Sequence, residues 1–107
     1  MGTIKSILKT HCISTEEDLI SRIHSSGKTL AICELYKNSP TIEQIVNRIF
    51  NEISGIAVAE RDLKEQRETK DTWDNMQKTM YNFENGELNK RKEKLEATLS
   101  KINKILA

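Results

Sequence analysis

Residues 41–54 read Thr-Ile-Glu-Gln-Ile-Val-Asn-Arg-Ile-Phe-Asn-Glu-Ile-Ser, and this stretch decides the fold class. Its apolar side chains recur at the three- and four-residue spacing of a helix that is apolar on one face. They are Ile42, Ile45, Val46, Ile49, Phe50 and Ile53. The pattern predicts an amphipathic helix with Ser39 as N-cap and Pro40 at its first position, ending or bending at Gly55.

Shorter helices are expected before this one. Residues 3–11 have apolar positions on one face and predict a short first helix. A capping box that starts at Ser14 predicts a second helix, and Gly27 its end. Residues 29–36 are apolar on nearly every side, so periodicity alone does not separate a helix from a strand. We favour a buried helix there, because the only plausible partner strand is 55–59.

The C-terminal half has a thinner helical pattern. The segment between Leu63 and Trp73 has no apolar residue, so it is either a solvated helix or a flexible connector. Asp71 or Thr72 is expected to cap a new helix. The dipeptide at 85–86, Asn-Gly, is a turn signal, and leucines follow it in a seven-residue rhythm. Together these features predict a helical hairpin that folds back at residues 85–86.

A hairpin folded at that point would place Met76 opposite Leu95 and Trp73 opposite Leu99. Ile102 and its C-terminal apolar neighbours would face polar residues. They would then need cover from the N-terminal helices, from a second copy or from a partner. The predicted interaction seam consists of Leu95, Leu99, Ile102, Ile105, Leu106, Trp73 and Met76.

Composition supports a helical chain. Of 107 residues, 31% are charged and 36% hydrophobic. The chain has one Pro and four Gly, so few residues interrupt long helices. We therefore predict an all-α fold with a cluster of short N-terminal helices followed by a long helical hairpin or coiled-coil segment. The expected division is 1–55 for the N-terminal cluster and 56–107 for the hairpin, as one compact unit or as a helical extension.

No catalytic or metal-binding motif emerges from the sequence. The possible metal ligands and nucleophiles are His11, Cys12, His24 and Cys33, and they lack a chelating spacing. Adjacent side chains on a helix point roughly 100° apart, so His11 is not placed to activate Cys12. Ser26-Gly27-Lys28-Thr29 lacks the earlier glycine of a phosphate-binding loop. We expect no enzymatic activity, no metal and no cofactor. With no long apolar run, we also expect a soluble, cytoplasmic protein without a membrane span.

The leading functional prediction is protein–protein interaction. A short chain that shows an apolar seam without enough internal partners usually buries it against another chain. We expect a small adaptor, chaperone or regulator that binds a protein partner or a second copy, with a homodimer favoured.

The alternative is a dimeric helix-turn-helix transcriptional regulator that dimerises through its C-terminal helices. Nucleic-acid contacts would then come from the polar face of the 41–54 helix and from a basic run further along. These residues are Gln44, Asn47, Arg48, Lys90, Arg91 and Lys92. The net charge of +1 and the glutamates on the recognition helix disfavour this alternative, because phosphate neutralisation supplies much of DNA affinity.

Overall fold

The computed structural model describes residues 4–36 and 41–107, and it confirms the all-α prediction. Within these two ranges, three short helices precede two long ones, and a 3-10 turn, Lys70–Thr72, connects the long pair. The helices are α1 (Ile4–Thr10), α2 (Glu16–Ser26), α3 (Thr29–Glu34), α4 (Ile42–Glu68) and α5 (Asn75–Leu106).

The two long helices form a hairpin and set the shape of the molecule. α5 has 32 residues, and a helix of that length is about 48 Å long. It packs along α4, and the described part of the chain measures 54 × 26 × 19 Å. The radius of gyration is 16.7 Å, against roughly 13 Å for a compact domain of about 100 residues. The hairpin therefore extends beyond the rest of the fold.

The prediction that the hairpin turns at Asn85-Gly86 is wrong. Both residues lie inside α5, and the turn is at residues 69–74. α5 starts at a capping box: the Asp74 carboxylate accepts from the Gln77 backbone N–H at 2.8 Å, and the Gln77 side chain accepts from the Asp74 N–H at 3.0 Å. An internal glycine costs a helix about 1 kcal/mol relative to alanine. The surrounding turns of α5 tolerate that cost.

The start of α4 also differs from the prediction. Thr41 is the N-cap, its hydroxyl accepts from the Gln44 N–H at 3.3 Å, and the Gln44 side chain accepts from the Thr41 N–H at 3.1 Å. The predicted cap at Ser39 and Pro40 lies outside the described residues. α4 does not end at Gly55, so one helix crosses the expected boundary between residues 55 and 56. The division into two units stays a prediction.

Capping also defines the ends of α2. The N-cap is Thr15, one residue later than predicted, because its hydroxyl accepts from the Asp18 N–H at 3.0 Å. Gly27 is confirmed as the end, with a left-handed φ of 68°. Its N–H donates to the His24 carbonyl at 3.4 Å. Glycine suits this position because it has no Cβ to oppose positive φ.

α1 ends in a Schellman motif with a cysteine at the left-handed position. Cys12 has φ 57°, and its N–H donates to the Lys9 carbonyl at 3.1 Å. The Ile13 N–H reaches the Leu8 carbonyl at 2.9 Å, which completes the motif. The neighbouring His11 side chain is buried, whereas Cys12 is exposed. This turn delivers the chain into α2.

The core is one continuous apolar cluster to which all five helices contribute. Leu99 and Ile102 are each only 1% exposed within it. α2 and α3 lie over the C-terminal end of α5, where Arg22 donates to the Asn103 side chain at 3.1 Å and Lys28 to the Ala107 carbonyl at 3.0 Å. The N-terminal helices thus supply cover that Ile102 was expected to need.

Candidate functional site

The hairpin has two parts that differ in burial. We call residues 64–87 the tip, because none of their side chains is buried. The base comprises α1–α3 with residues 42–63 and 88–106. Leu63 on α4 and Leu88 on α5 are the last buried residues before the tip begins. Any apolar side chain beyond them depends on the tip itself, or on another molecule, for cover.

Three large apolar side chains of the tip lie exposed on α5. Met76 is 72% exposed, Met80 56% and Phe83 68%. Their i, i+4 and i+7 spacing places them on one face of the helix, and we call this surface the tip stripe. At about 100° per residue, the stripe lies roughly 100–160° around α5 from Tyr81, the side chain that Arg67 of α4 contacts, so it does not face α4. The tip stripe is therefore open to solvent.

A small polar–aromatic cluster holds the turn together. The rings of Trp73 and Tyr81 lie 4.9 Å apart at a tilt of 44°. The Trp73 indole N–H donates to the Thr69 hydroxyl at 3.0 Å, and Arg67 Nε donates to the Tyr81 hydroxyl at 3.1 Å. These contacts join the end of α4 to the start of α5. They fix the helix that carries the tip stripe without covering the stripe itself.

The residues of the predicted seam do not form one surface. Leu95, Leu99 and Ile102 are buried in the base. Ile105 and Leu106 are partly buried and pack against the same core. Trp73 and Met76 lie in the tip, far along the hairpin, where Trp73 is partly buried and Met76 is exposed.

No protein-family model, curated protein or solved structure matches this chain. Its function is therefore inferred from the surfaces that the fold leaves open. The tip stripe is such a surface, and sequence reasoning placed its residues inside the hairpin. The usable signal was the helical phase, because at about 100° per residue Met76, Met80 and Phe83 are offset roughly 80–140° around the helix from Leu88.

The predicted nucleic-acid residues on α4 are exposed. They differ in whether their side chains already make hydrogen bonds within the protein. Gln44 belongs to the capping box of α4, so its side-chain oxygen is already used. Asn47 and Arg48 are exposed one turn further on, and neither makes an ion pair or side-chain hydrogen bond with a residue in the described ranges. This face is available for contact.

The basic run of α5 is compensated by glutamates. Arg91 Nε donates to the Glu52 carboxylate at 2.8 Å, and this hydrogen bond raises the pKa of the guanidinium above its usual range. Lys92 Nζ lies 3.3 Å from Glu60 Oε1, and Lys90 Nζ lies 3.5 Å from a carboxylate oxygen of Glu87. Each of the three basic side chains therefore pairs with a different glutamate. They do not form one basic patch.

The structure places the histidine and cysteine side chains in different surroundings. His24 Nε2 lies 4.0 Å from Glu43 Oε1, a contact at the solvent-exposed surface, and Cys33 is half-buried in α3. Among residues 4–36 and 41–107, no three His, Cys, Asp or Glu side chains gather closely enough to hold a metal ion. Within the same part of the chain, no helix combines the length and apolarity that a membrane crossing requires.

Proposed function

We propose that this protein is a helical interaction module that self-associates through the tip stripe. The observation that carries the proposal is the exposure of Met76, Met80 and Phe83 on one face of α5. Contiguous exposed apolar side chains are typical of interaction sites, whereas single ones need no explanation. The base contains the apolar core that supports this helix.

A second copy of the chain fits this surface, because the tip stripe is nearly symmetric about its centre. Antiparallel pairing of two α5 helices around a two-fold axis near Met80 places Met76 of each copy against Phe83 of the other. Such an isologous interface uses the same patch twice. It forms two sulfur–aromatic contacts, each worth roughly 0.3–1.5 kcal/mol. A heterologous partner would have to supply a matching stripe.

The size of the stripe sets the expected strength of the dimer. Even at the roughly 150–250 Å² that an aromatic side chain buries, three side chains fall short of a standard interface. Such an interface buries about 800 Å² per partner. We therefore expect a reversible dimer, with polar residues beside the stripe contributing the remaining contact area.

Sedimentation equilibrium over a range of protein concentrations tests the proposal. The mass is expected to rise from 12.3 kDa towards twice that value in the wild type and to stay at 12.3 kDa in Phe83→Glu. Val58→Glu is the matched control, because Val58 is 50% exposed on α4 outside the tip. A wild type that remains monomeric, or equal loss of association in both variants, would contradict self-association through the stripe.

DNA binding by α4 is a second candidate, favoured by the exposed Asn47 and Arg48. If α4 reads a base edge, Arg48→Ala weakens specific binding by about 1–3 kcal/mol. Affinity for duplex DNA would also fall steeply with salt. Titration of a duplex at two salt concentrations tests both points. We favour the protein-interaction proposal and expect weak binding of DNA without sequence preference, because α4 has glutamates beside Arg48 on its polar face.

A further inference from the structure

A cleft lies in the base, away from the tip, where the segment just after α3 approaches one side of the α4–α5 pair. Its volume is about 400 Å³, within the range of about 300–1,000 Å³ that is usual for small-molecule sites. Side chains from all three segments line it. They are Tyr36, Arg48, Ile49, Glu52, Arg91, Lys94, Leu95 and Thr98.

The cleft has an excess of positive charge. Arg91 is held by the Glu52 carboxylate at 2.8 Å, so this pair is close to neutral. Arg48 and Lys94 make no ion pair or side-chain hydrogen bond with any residue of the described ranges. Two uncompensated cations therefore face one cavity, and an anion entering it would meet both of them.

Gly55 lies beside the guanidinium of Arg91. A Cβ at Gly55 would lie 2.8 Å from Nη2 of Arg91, too close for the present arrangement. The glycine lets the guanidinium lie against α4 while it reaches Glu52. Because Nη2 is the far end of a flexible side chain, a Cβ at Gly55 would shift the Arg91 guanidinium without disturbing the backbone.

The remaining lining combines an apolar floor with a hydroxyl donor. Ile49 and Leu95 are each 4% exposed, and they form the floor. Tyr36 is half-buried, and its hydroxyl makes no hydrogen bond to a described residue. Burial raises the pKa of this phenol, and the charge of Arg48 lowers it by a smaller amount. The hydroxyl therefore stays protonated at neutral pH and can donate.

From this arrangement we propose that the cleft binds a small organic anion with an oxyanion head and an apolar body. Arg48, Lys94 and the Tyr36 hydroxyl would donate to the head, and the apolar floor would take the body. Phosphate and carboxylate heads share the required chemistry. The Arg91–Glu52 pair would mark the edge of the site. This inference is independent of self-association through the tip.

Phenyl phosphate, phenylacetate and inorganic phosphate are suitable probes, followed by amide chemical shifts in the full chain. We expect saturable shifts around Tyr36 and Leu95 with the two aromatic anions and weaker binding of inorganic phosphate. Arg48→Gln and Lys94→Gln should each weaken phenyl phosphate roughly tenfold or more, as loss of a charge-assisted hydrogen bond does. Gly55→Ala should weaken it less, by displacing Arg91.

Lys101→Gln is the matched control, because it removes an exposed lysine from α5 outside the cleft. Unchanged affinity in this variant supports a defined site. Equal weakening in Lys101→Gln and Lys94→Gln would show general charge attraction and overturn the proposal. Shifts that do not saturate, or equal affinity for phenyl phosphate and inorganic phosphate, would overturn it as well. All variants keep the core intact, so their fold can be verified from the same spectra.

Discussion

The base and the tip of the hairpin share helix α5, but its apolar side chains are buried in the base and exposed in the tip. In the base, Leu95 and Leu99 of α5 face apolar residues of α4 and the N-terminal helices, and both are buried. In the tip, Met80 and Phe83 of the same helix remain more than half exposed. The difference lies in the side of α5 that they occupy, since the tip stripe lies on a different side of the helix from Tyr81, the side chain that Arg67 of α4 contacts.

This comparison teaches that the periodicity of a helix marks its apolar face but not the partner that covers it. α5 has apolar residues along most of its length, and the fold covers only those for which the chain has a partner. Stability is therefore expected to reside in the base. The tip retains apolar surface for binding, at the cost of a segment that contributes little to the core.

The largest expected effect separates the core of the base from the tip stripe. Leu99→Ala removes a side chain that is 1% exposed and should lower the free energy of unfolding by about 2–5 kcal/mol. Met80→Ala, at an exposed position, should change it by no more than about 0.5 kcal/mol. Urea unfolding at low protein concentration, where the chain is monomeric, measures both. A similar decrease in the free energy of unfolding in the two variants would contradict the assignment of stability to the base.

A second prediction concerns local order in the tip. Trp73→Ala removes the Trp73–Tyr81 contact, and an aromatic pair of this kind is worth roughly 0.5–1.5 kcal/mol. Amide hydrogen exchange within residues 64–87 should accelerate by roughly 2- to 13-fold. Exchange around Leu99 should stay unchanged, because the base does not use the contact. Uniform acceleration along α5 would show that the two parts open together.

The two internal glycines of the hairpin sharpen the comparison further. At Gly86 in the tip, a Cβ would meet no atom within 4 Å, so Gly86→Ala should raise the free energy of unfolding by about 0.5–1 kcal/mol. At Gly55 in the base, a Cβ would displace Arg91, and Gly55→Ala should gain less. Thermal unfolding of the two variants compares them. A larger gain at Gly55 would contradict the close approach of Arg91.

The smallest expected effect is a pH dependence in the base. Burial raises the pKa of Tyr36 above its ordinary value of 10.0, so the folded state holds this proton more tightly than the unfolded state. The resulting stabilisation is present below about pH 10 and is lost as pH rises through the folded pKa. Urea unfolding on both sides of that pH should show a decrease that is smaller in Tyr36→Phe. An identical decrease in the variant would assign the effect to other groups.

Sequence reasoning could find the core positions of the fold because burial repeats with the helical period. The stripe from Ile42 to Ile53 and the leucines at 95 and 99 were predicted as apolar faces, and the structure buries most of them. These inferences needed only local spacing. The helix predicted at 29–36, which was favoured for lack of a partner strand, is confirmed as α3. Its predicted burial is wrong, because Leu30 is 74% exposed and Leu35 44%.

The position of the hairpin turn could not be derived from the Asn85-Gly86 signal. Asn-Gly favours a turn locally, but a glycine inside a long helix costs only about 1 kcal/mol. The capping box of Asp74 and Gln77 provided the competing signal, and it starts α5 well before the dipeptide. Because the turn lies at residues 69–74 and not at 85–86, every predicted pair across the hairpin is different. Met76 and Trp73 then lost their expected partners Leu95 and Leu99.

A cysteine at position 80 tests most directly whether the tip stripe joins two copies around an axis near Met80. In a chain with Cys12→Ser and Cys33→Ser, Met80→Cys should form an intermolecular disulfide on mild oxidation, since two residues on a two-fold axis can reach the required Cβ separation of about 3.5–4.5 Å. Val58→Cys, also exposed but on α4, should remain largely monomeric. Rapid cross-linking at 80 alone is the predicted result. Equal rates at both positions, or none at 80, would contradict the antiparallel dimer.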